Sequence, residues 1–211
     1  MKQDAKYTLK GLYVITDKKL IPRERFLETV EKTIRGGARI VQLREKETPR
    51  EEIITLGKSL LEVTRKYGIP FIINDDPTLA KEIRADGVHL GKDDPAPQEA
   101  RRVLGERAIV GVSCYSDIER GLAAQRGGAD YLAFGTPFYT PTKPDRVPTP
   151  LEVLRKAKKK IGIPIFAIGG ITKETAPIII ETGVDGIAVI TGVFGTPDPE
   201  AAALELSSFF Q

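Results

Sequence analysis

The sequence predicts an α/β fold, a (β/α)8 TIM barrel, and three observations carry that expectation. Short apolar runs alternate with helix-like segments through eight cycles of roughly 25 residues each. The runs are apolar throughout rather than alternating with polar residues, as parallel strands covered on both faces are. The cycle also keeps its length from beginning to end, which a doubly wound open sheet, the main rival, rarely does over eight repeats. No shift in composition marks a second domain, so residues 1–211 read as a single barrel domain.

Taken in order, the first strand is 12–16, followed by a helix over 23–35 that Gly36-Gly37 closes. The second strand, 40–43, runs into Arg44-Glu45-Lys46. Thr48-Pro49 opens a long amphipathic helix to Tyr67, and Gly68 stops it. The third and fourth strands, 71–73 and 88–90, are joined by a short helix over 77–84 that Pro77 can start. A helix over 95–104 leads to a fifth strand, 108–112, ending at Ser113. A helix over 117–126, ended by Gly127-Gly128, leads to a sixth strand, 131–134, and then to a proline-punctuated loop over 135–150. Next come a helix over 151–160, a strand over 164–168 that ends in Gly169-Gly170, and a helix over 173–182 capped by Thr172. A strand over 186–190, a short glycine-bounded segment and a helix over 199–210 complete the order.

Composition narrows the function. A hydrophobic fraction of 41% and a charged fraction of 29% are those of a soluble globular protein, and the apolar runs are too short to span a bilayer. The N-terminus lacks the apolar core of a signal peptide, and the single cysteine, Cys114, fits a reducing compartment, so a cytoplasmic protein is expected. The net charge is only +3, and the densest basic patch, 156–160, falls late in a predicted helix, where a solvated face is expected. Nucleic-acid and membrane partners are therefore disfavoured. Small-molecule substrates are expected, and a homo-oligomer is left open.

The most informative stretch is 71–94. Both apolar runs in it end in carboxylates, Asp75-Asp76 after the first and Asp93-Asp94 after the second. A strand, helix and strand make a right-handed crossover into a parallel pair, whose strands end on one edge about 4.8 Å apart. Carboxylates crowded there repel one another unless a cation lies between them. Asp75 and Asp94 are the metal candidates, with Mg2+ the expected ion, because magnesium takes one or two carboxylates and completes its shell with water and phosphate oxygens. A helix cap is the other reading of these aspartates, and Asp76, just before Pro77, stands where a cap belongs.

A barrel's site lies at the carboxyl ends of its strands. Read in that way, the mouth collects Arg44, Lys46, Asn74, Asp75, Asp94, Ser113, Thr140, Thr142, Lys143, Gly169-Gly170 and Thr191-Gly192. Arg44, Lys46 and Lys143 would supply positive charge to a diphosphate, although surface ion pairing with Glu45 and other carboxylates is an open alternative for the first two. Lys143 sits on a loop stiffened by prolines, so less entropy is lost in holding it. The glycine pairs suit a phosphate cradle of backbone N–H groups, or simply turns. His89, the one histidine, lies within a strand and reads as packed rather than catalytic, and Cys114 reads as inert.

With these residues placed, the chain resembles the thiamine-phosphate synthase family along nearly its whole length. The matching motifs are Gln42-Leu-Arg-Glu-Lys46, Asn74-Asp75, Ala85-Asp-Gly-Val-His-Leu-Gly91 with Asp94, and Gly111-Val-Ser113. The others are Ala129-Asp-Tyr131, Thr140-x-Thr-Lys143, Ile168-Gly-Gly-Ile171 and residues 185–191. The resemblance implies a TIM-barrel transferase that joins hydroxymethylpyrimidine diphosphate to a thiazole phosphate and releases diphosphate. It implies that Asp75 and Asp94 hold Mg2+ and that Arg44, Lys46, Asn74 and Lys143 grip the diphosphate. Gln42 and Ser113 would then lie near the pyrimidine, and Thr140, Thr142, Gly170, Ile190 and Thr191 would receive the thiazole phosphate. Lys143, Arg44, Lys46 and Ser113 carry the expected catalytic roles, through a pyrimidine-methyl cation that needs no protein nucleophile. Tyr115, Lys92 and Thr191-Gly192 depart from the family pattern, which commonly has histidine, glutamine and serine-alanine at those places.

Two rivals remain. A thiazole tautomerase of the same barrel superfamily resembles the synthase but tends to lose the diphosphate grip and to rely on a histidine base. A non-catalytic thiazole-phosphate-binding regulator would have no use for the cation and carboxylate set that this chain keeps.

Overall fold

The computed structural model describes residues 7–140 and 147–210. Eight strands, β1 (Gly11–Ile15), β2 (Ile40–Leu43), β3 (Phe71–Asn74), β4 (Gly87–Leu90), β5 (Ile109–Tyr115), β6 (Tyr131–Gly135), β7 (Ile165–Ile168) and β8 (Gly186–Val189), form one closed parallel barrel. Each strand pairs with the next in sequence, and β8 returns to β1 with Gly11 opposite Gly186. The helices are α1 (Phe26–Arg35), α2 (Arg50–Lys66), α3 (Pro77–Ile83), α4 (Pro97–Leu104), α5 (Ile118–Arg126), α6 (Leu151–Lys160), α7 (Ala176–Ile180), α8 (Thr191–Phe194) and α9 (Pro199–Ser208). Among the described residues no helix is long and apolar enough to cross a membrane.

Two cores share the strands. Outward-facing residues such as Leu12, Val14, Val41, Leu43, Phe71 and Ile73 pack against the helices. Inward-facing Tyr13, Ile15, Ile40, Ile72, Tyr131, Phe166 and Ala188 fill the barrel. Both faces are therefore apolar, which is why the strands carry no alternation. Tyr13, Tyr131 and Phe166 meet edge to face, with centroids 5.4–5.8 Å apart. A side chain at Gly111 would overlap the Tyr131 ring, and one at Gly186 would overlap Phe166, so the two glycines make room for the aromatic layer.

Two expected helices start later than the pattern suggests, and proline is the reason in both. The helix expected from 173, capped by Thr172, begins only at Ala176, with Thr175 before it. Pro177 has no N–H to give the Lys173 carbonyl, and its ring excludes that carbonyl, so the earlier turn cannot join. Likewise α4 begins at Pro97, because a residue before proline, here Ala96, is kept out of helical conformation. The stretch over 23–35 opens with a 3-10 turn, Arg23–Arg25, before α1.

At the amino-terminal end of the barrel, one device recurs. Asp86, Asp130 and Asp185 each stand just before an even-numbered strand, and each carboxylate accepts a backbone N–H from the strand before it. Those donors are Phe71, Val110 and Ile165, at 3.0, 2.8 and 2.7 Å. Arg101 also reaches Asp130 at 2.7 Å, and Lys158 reaches Asp185 at 2.6 Å. Conserving charge and hydrogen bonds here is a matter of stability, because this face lies opposite the mouth. Asp130→Ala leaves the Arg101 guanidinium and the Val110 N–H without this acceptor, and we expect it to lower unfolding free energy by about 2 kcal/mol. A denaturation midpoint equal to that of the unaltered protein would refute this role.

Candidate active site

At the opposite end the strands open into a cavity of about 1090 Å3. Gln42, Arg44, Asn74, Ser113, Thr140, Gly170, Ile190 and Thr191 all line it, so eight of the residues expected from the sequence share one space. Lys46, Asp75 and Asp94 are not among the lining residues; Asp75 directly follows Asn74, which is, and Lys46 and Asp94 neighbour Asp75. Thr142 and Lys143 lie outside the described residues.

The acidic pair forms as the parallel register requires. Asn74 is opposite His89, and the Asp75 N–H continues the ladder to the His89 carbonyl at 2.8 Å. The chain then turns sharply: Asp75 takes φ +66°, a left-handed conformation in which a residue other than glycine is held under strain. Asp94 is fixed from below, its carboxylate accepting the Gly91 N–H at 2.6 Å. Asp94 is near enough to Asp75 to act on its carboxyl. Burial first, and then the neighbouring Asp94, push the Asp75 carboxyl up to about 6, against the opposing pull of Lys46 and Arg44.

The neighbouring aspartates separate by role. Asp76 caps α3, accepting the N–H groups of Thr78 and Leu79, and Arg50 holds it at 2.9 Å. Asp93 is exposed and caps no helix; the start of α4 is instead closed by Glu99, which accepts the Ala96 N–H. The cation side is looser. Lys46 lies 3.9 Å from Asp75, and Arg44 lies 3.6 Å from Asp17. Thr16 accepts the Arg44 backbone N–H at 3.0 Å, which fixes the start of that loop.

The part of the cavity at the ends of β7 and β8 is built from close backbone approaches. Gly169 and Gly170 have φ +109° and +62°, and a side chain at Gly170 would overlap the Tyr139 carbonyl and Phe138. Thr136 donates its hydroxyl to the Gly169 carbonyl, tying the β6 loop to this turn. A side chain at Gly192 would overlap the Ile171 carbonyl, so α8 begins hard against the β7 loop. Glycine is thus required at both places for the loops to meet.

Several contributors escape a reading of the sequence. Asp17, which faces Arg44, sits in a loop without a motif. Arg120 looks like a surface residue of α5, yet its guanidinium donates to the Ser113 carbonyl at 2.8 Å and the Gly91 carbonyl at 2.7 Å. It thereby ties Ser113 to the turn that carries Asp94. His89 is packed as expected, at 7% exposure, but it also lines the cavity and lies 2.9 Å from the Ser113 hydroxyl. A polar residue at an inward position of a strand was the available signal. Cys114 is buried, and burial drives its thiol up to about 12, which makes it inert.

The donor set suits a hard divalent ion. Among the described residues no cluster of three or more His, Cys, Asp or Glu side chains could hold a metal. Two oxygen ligands alone would leave the rest of an octahedron to water and a bound phosphate, the arrangement magnesium favours.

A family model described as Thiamine monophosphate synthase matches residues 12–193. The chain is 48% identical over 201 residues to the thiamine-phosphate synthase of Methylococcus capsulatus, covering 95% of this chain and 89% of that protein. It is 44% identical over 203 residues to the thiamine-phosphate synthase of Nitrosococcus oceani, covering 96% and 94%. Among solved structures, thiamine phosphate pyrophosphorylase from Pyrococcus furiosus superimposes with a TM-score of 0.87 at 40% identity, covering 95% of each chain.

The raised Asp75 carboxyl has a consequence for stability in metal-free protein. Its folded value, about 6, lies above the ordinary 3.8, so the folded state binds more protons than the unfolded chain between those values. Stability must then fall as pH rises through that window. Asparagine keeps the shape, tolerates φ +66° and cannot ionise. We expect Asp75→Asn to melt above the unaltered protein at about pH 7.5 in a chelator, and the gap to close near pH 4. A gap that does not change with pH would overturn the raised Asp75 carboxyl.

Proposed function

The chain belongs to the thiamine monophosphate synthase family, and from that membership we propose a reaction and a role for each group at the barrel mouth. The enzyme couples hydroxymethylpyrimidine diphosphate with a thiazole phosphate to give thiamine phosphate and diphosphate; from the carboxylated form of the thiazole, carbon dioxide is released as well. The observation that carries this reading is the crowded Asp75–Asp94 pair with Lys46 and Arg44 near it, next to a cavity lined by Arg44, Asn74 and the Gly169-Gly170 turn.

In the proposed reaction the bond between the pyrimidine methylene carbon and the diphosphate oxygen breaks, and its electron pair leaves with the diphosphate. The thiazole nitrogen then gives its lone pair to the methylene carbon and becomes the thiazolium nitrogen. With the uncarboxylated thiazole no proton need move, and no protein nucleophile is needed. Catalysis is a matter of neutralising the leaving group and holding the two substrates in line. Arg44, Lys46, Asn74 and Lys143 take the diphosphate. Gln42 and Ser113 orient the pyrimidine, and Thr140, Thr142, Gly170, Ile190 and Thr191 hold the thiazole phosphate. Asp75 and Asp94 would hold Mg2+, which when bound supplies positive charge to the departing diphosphate oxygens. We place this chemistry in the cytoplasm, in keeping with the single, buried cysteine.

The tautomerase alternative is the weaker reading. It needs a histidine base, and both ring nitrogens of the one histidine are engaged, with Tyr131 and with Ser113.

The direct test is incubation with both substrates and Mg2+, measuring thiamine phosphate. Product should form, EDTA should stop it, and Asp75→Ala should behave like the chelated enzyme. Undiminished turnover in EDTA would remove the metal from the reading. Lys143→Ala should lower kcat by about 100-fold or more with an unaltered melting point, since it takes a cation from the leaving group. Turnover equal to that of the unaltered enzyme would take the lysine out of the mechanism.

A further inference from the structure

Five side chains from five strands form one hydrogen-bonded line across the barrel, at and beneath the cavity floor. The Gln42 amide nitrogen donates to the Tyr13 hydroxyl at 2.5 Å. The Tyr13 and Tyr131 hydroxyls are 2.8 Å apart, and the Tyr131 hydroxyl is 2.9 Å from His89 Nδ1. His89 Nε2 is 2.9 Å from Ser113 Oγ. Gln42, His89 and Ser113 line the cavity, whereas Tyr13 and Tyr131, 1% and 0% exposed, do not.

The chemistry of these groups gives the line a direction. A carboxamide nitrogen can only donate. The Tyr13 hydroxyl accepts from it, and because an amide nitrogen cannot accept, its own hydrogen is satisfied as a hydrogen bond to Tyr131. The Tyr131 hydroxyl, having accepted, gives its proton to His89 Nδ1, which is then the bare nitrogen of a neutral ring. The imidazole proton therefore sits on Nε2 and points at Ser113 Oγ. Ser113 accepts it, and its own hydroxyl proton is directed into the cavity. At the other end, the Gln42 carboxamide oxygen is left to accept. Burial raises both phenols far above their ordinary range, so the line stays made of neutral hydroxyls.

We propose that Tyr13, Tyr131 and His89 are positioning residues that set the hydrogen-bond polarity of the cavity floor, making Ser113 a donor and Gln42 Oε1 an acceptor toward the ligand. Such a floor selects a planar heterocycle with a ring-nitrogen acceptor toward Ser113 and an amino donor toward Gln42. An aminopyrimidine fits that description. Its selection rests on the reaction proposed above, whereas the polarity itself does not. A satisfied buried line of this kind is stiff, because each bond fixes the proton position of the next. Reversing it would require Gln42 to turn its oxygen to Tyr13, His89 to move its proton to Nδ1, and Ser113 to become an acceptor, all together.

His89 is the only histidine in the chain, so its tautomer can be read directly. In protein labelled with 15N-histidine, NMR should show a single neutral ring protonated on Nε2. A ring protonated on Nδ1, or a mixture of the two, overturns the proposal. Tyr131→Phe cuts the line without removing ring volume and touches no substrate. It should mix the tautomers and raise KM for the pyrimidine diphosphate about tenfold, with kcat within about twofold and KM for the thiazole phosphate unchanged. A retained single tautomer, or an equal rise in both KM values, would show a merely structural hydroxyl. Should the variant fail to fold, the tautomer in the unaltered protein still decides the matter. It decides equally if that protein makes no thiamine phosphate, so failure of the reaction and failure of the relay are distinguishable.

Discussion

Repulsion between two carboxylates carried just past the ends of neighbouring parallel strands is the constraint from which the mouth of this barrel is read. Asp75 and Asp94 cannot relax apart, because the backbone holds each of them: one through the ladder bond to His89 and a left-handed turn, the other through the Gly91 N–H. A turn that combines backbone strain with charge crowding persists only where the surrounding fold is rigid enough to impose it. Eight paired strands provide that rigidity. A cation between the two side chains would relieve the resulting potential, and the proposed reaction gives it one.

The barrel uses aspartate in opposite ways at its two ends. Asp86, Asp130 and Asp185 are satisfied at once by backbone N–H groups, and the latter two have cations at 2.7 and 2.6 Å. At the mouth, Lys46 and Arg44 stand 3.9 and 3.6 Å from their nearest carboxylates. Loose pairs keep most of a cation's capacity to meet an incoming anion, whereas tight, part-buried pairs do not. Tightness below and slackness above divide stability from chemistry on one scaffold, as the barrel architecture allows.

Much of this was legible in the chain. The crossover from β3 to β4 follows from two short apolar runs and a proline-led helix, and it alone brings Asp75 to Asp94. Asp76 could be told from Asp75 because it precedes Pro77. Proline was equally the source of the misplaced starts of α4 and α7, where the apolar periodicity runs on but the backbone cannot. The inner line of polar groups was not legible. Tyr13 and Tyr131 are 118 residues apart, and on their own strands both read as core. Strand periodicity says that they point inward, but not that their hydroxyls meet. Arg120 was missed for a related reason, since only the packing of α5 against the strand ends shows where a long side chain on a helix will reach.

The floor and the rim also differ in charge, and the proposed reaction explains why. A developing pyrimidine-methyl cation would be captured by any strong nucleophile beneath it. Cys114, the softest candidate, is buried with its thiol driven up to about 12 and is bonded toward the Val112 carbonyl. Ser113 is nearer, but it accepts a hydrogen bond from His89 in the proposed line, which draws on one of its lone pairs. The same bond that aims its hydroxyl proton at the substrate thus makes its oxygen a poorer nucleophile. The ionic groups assigned to the departing diphosphate, Arg44, Lys46 and Lys143, are not part of that floor. Neutral, oriented dipoles occupy the floor, where charge would otherwise be trapped, and the thiazole nitrogen is the lone pair left in line to form the new bond.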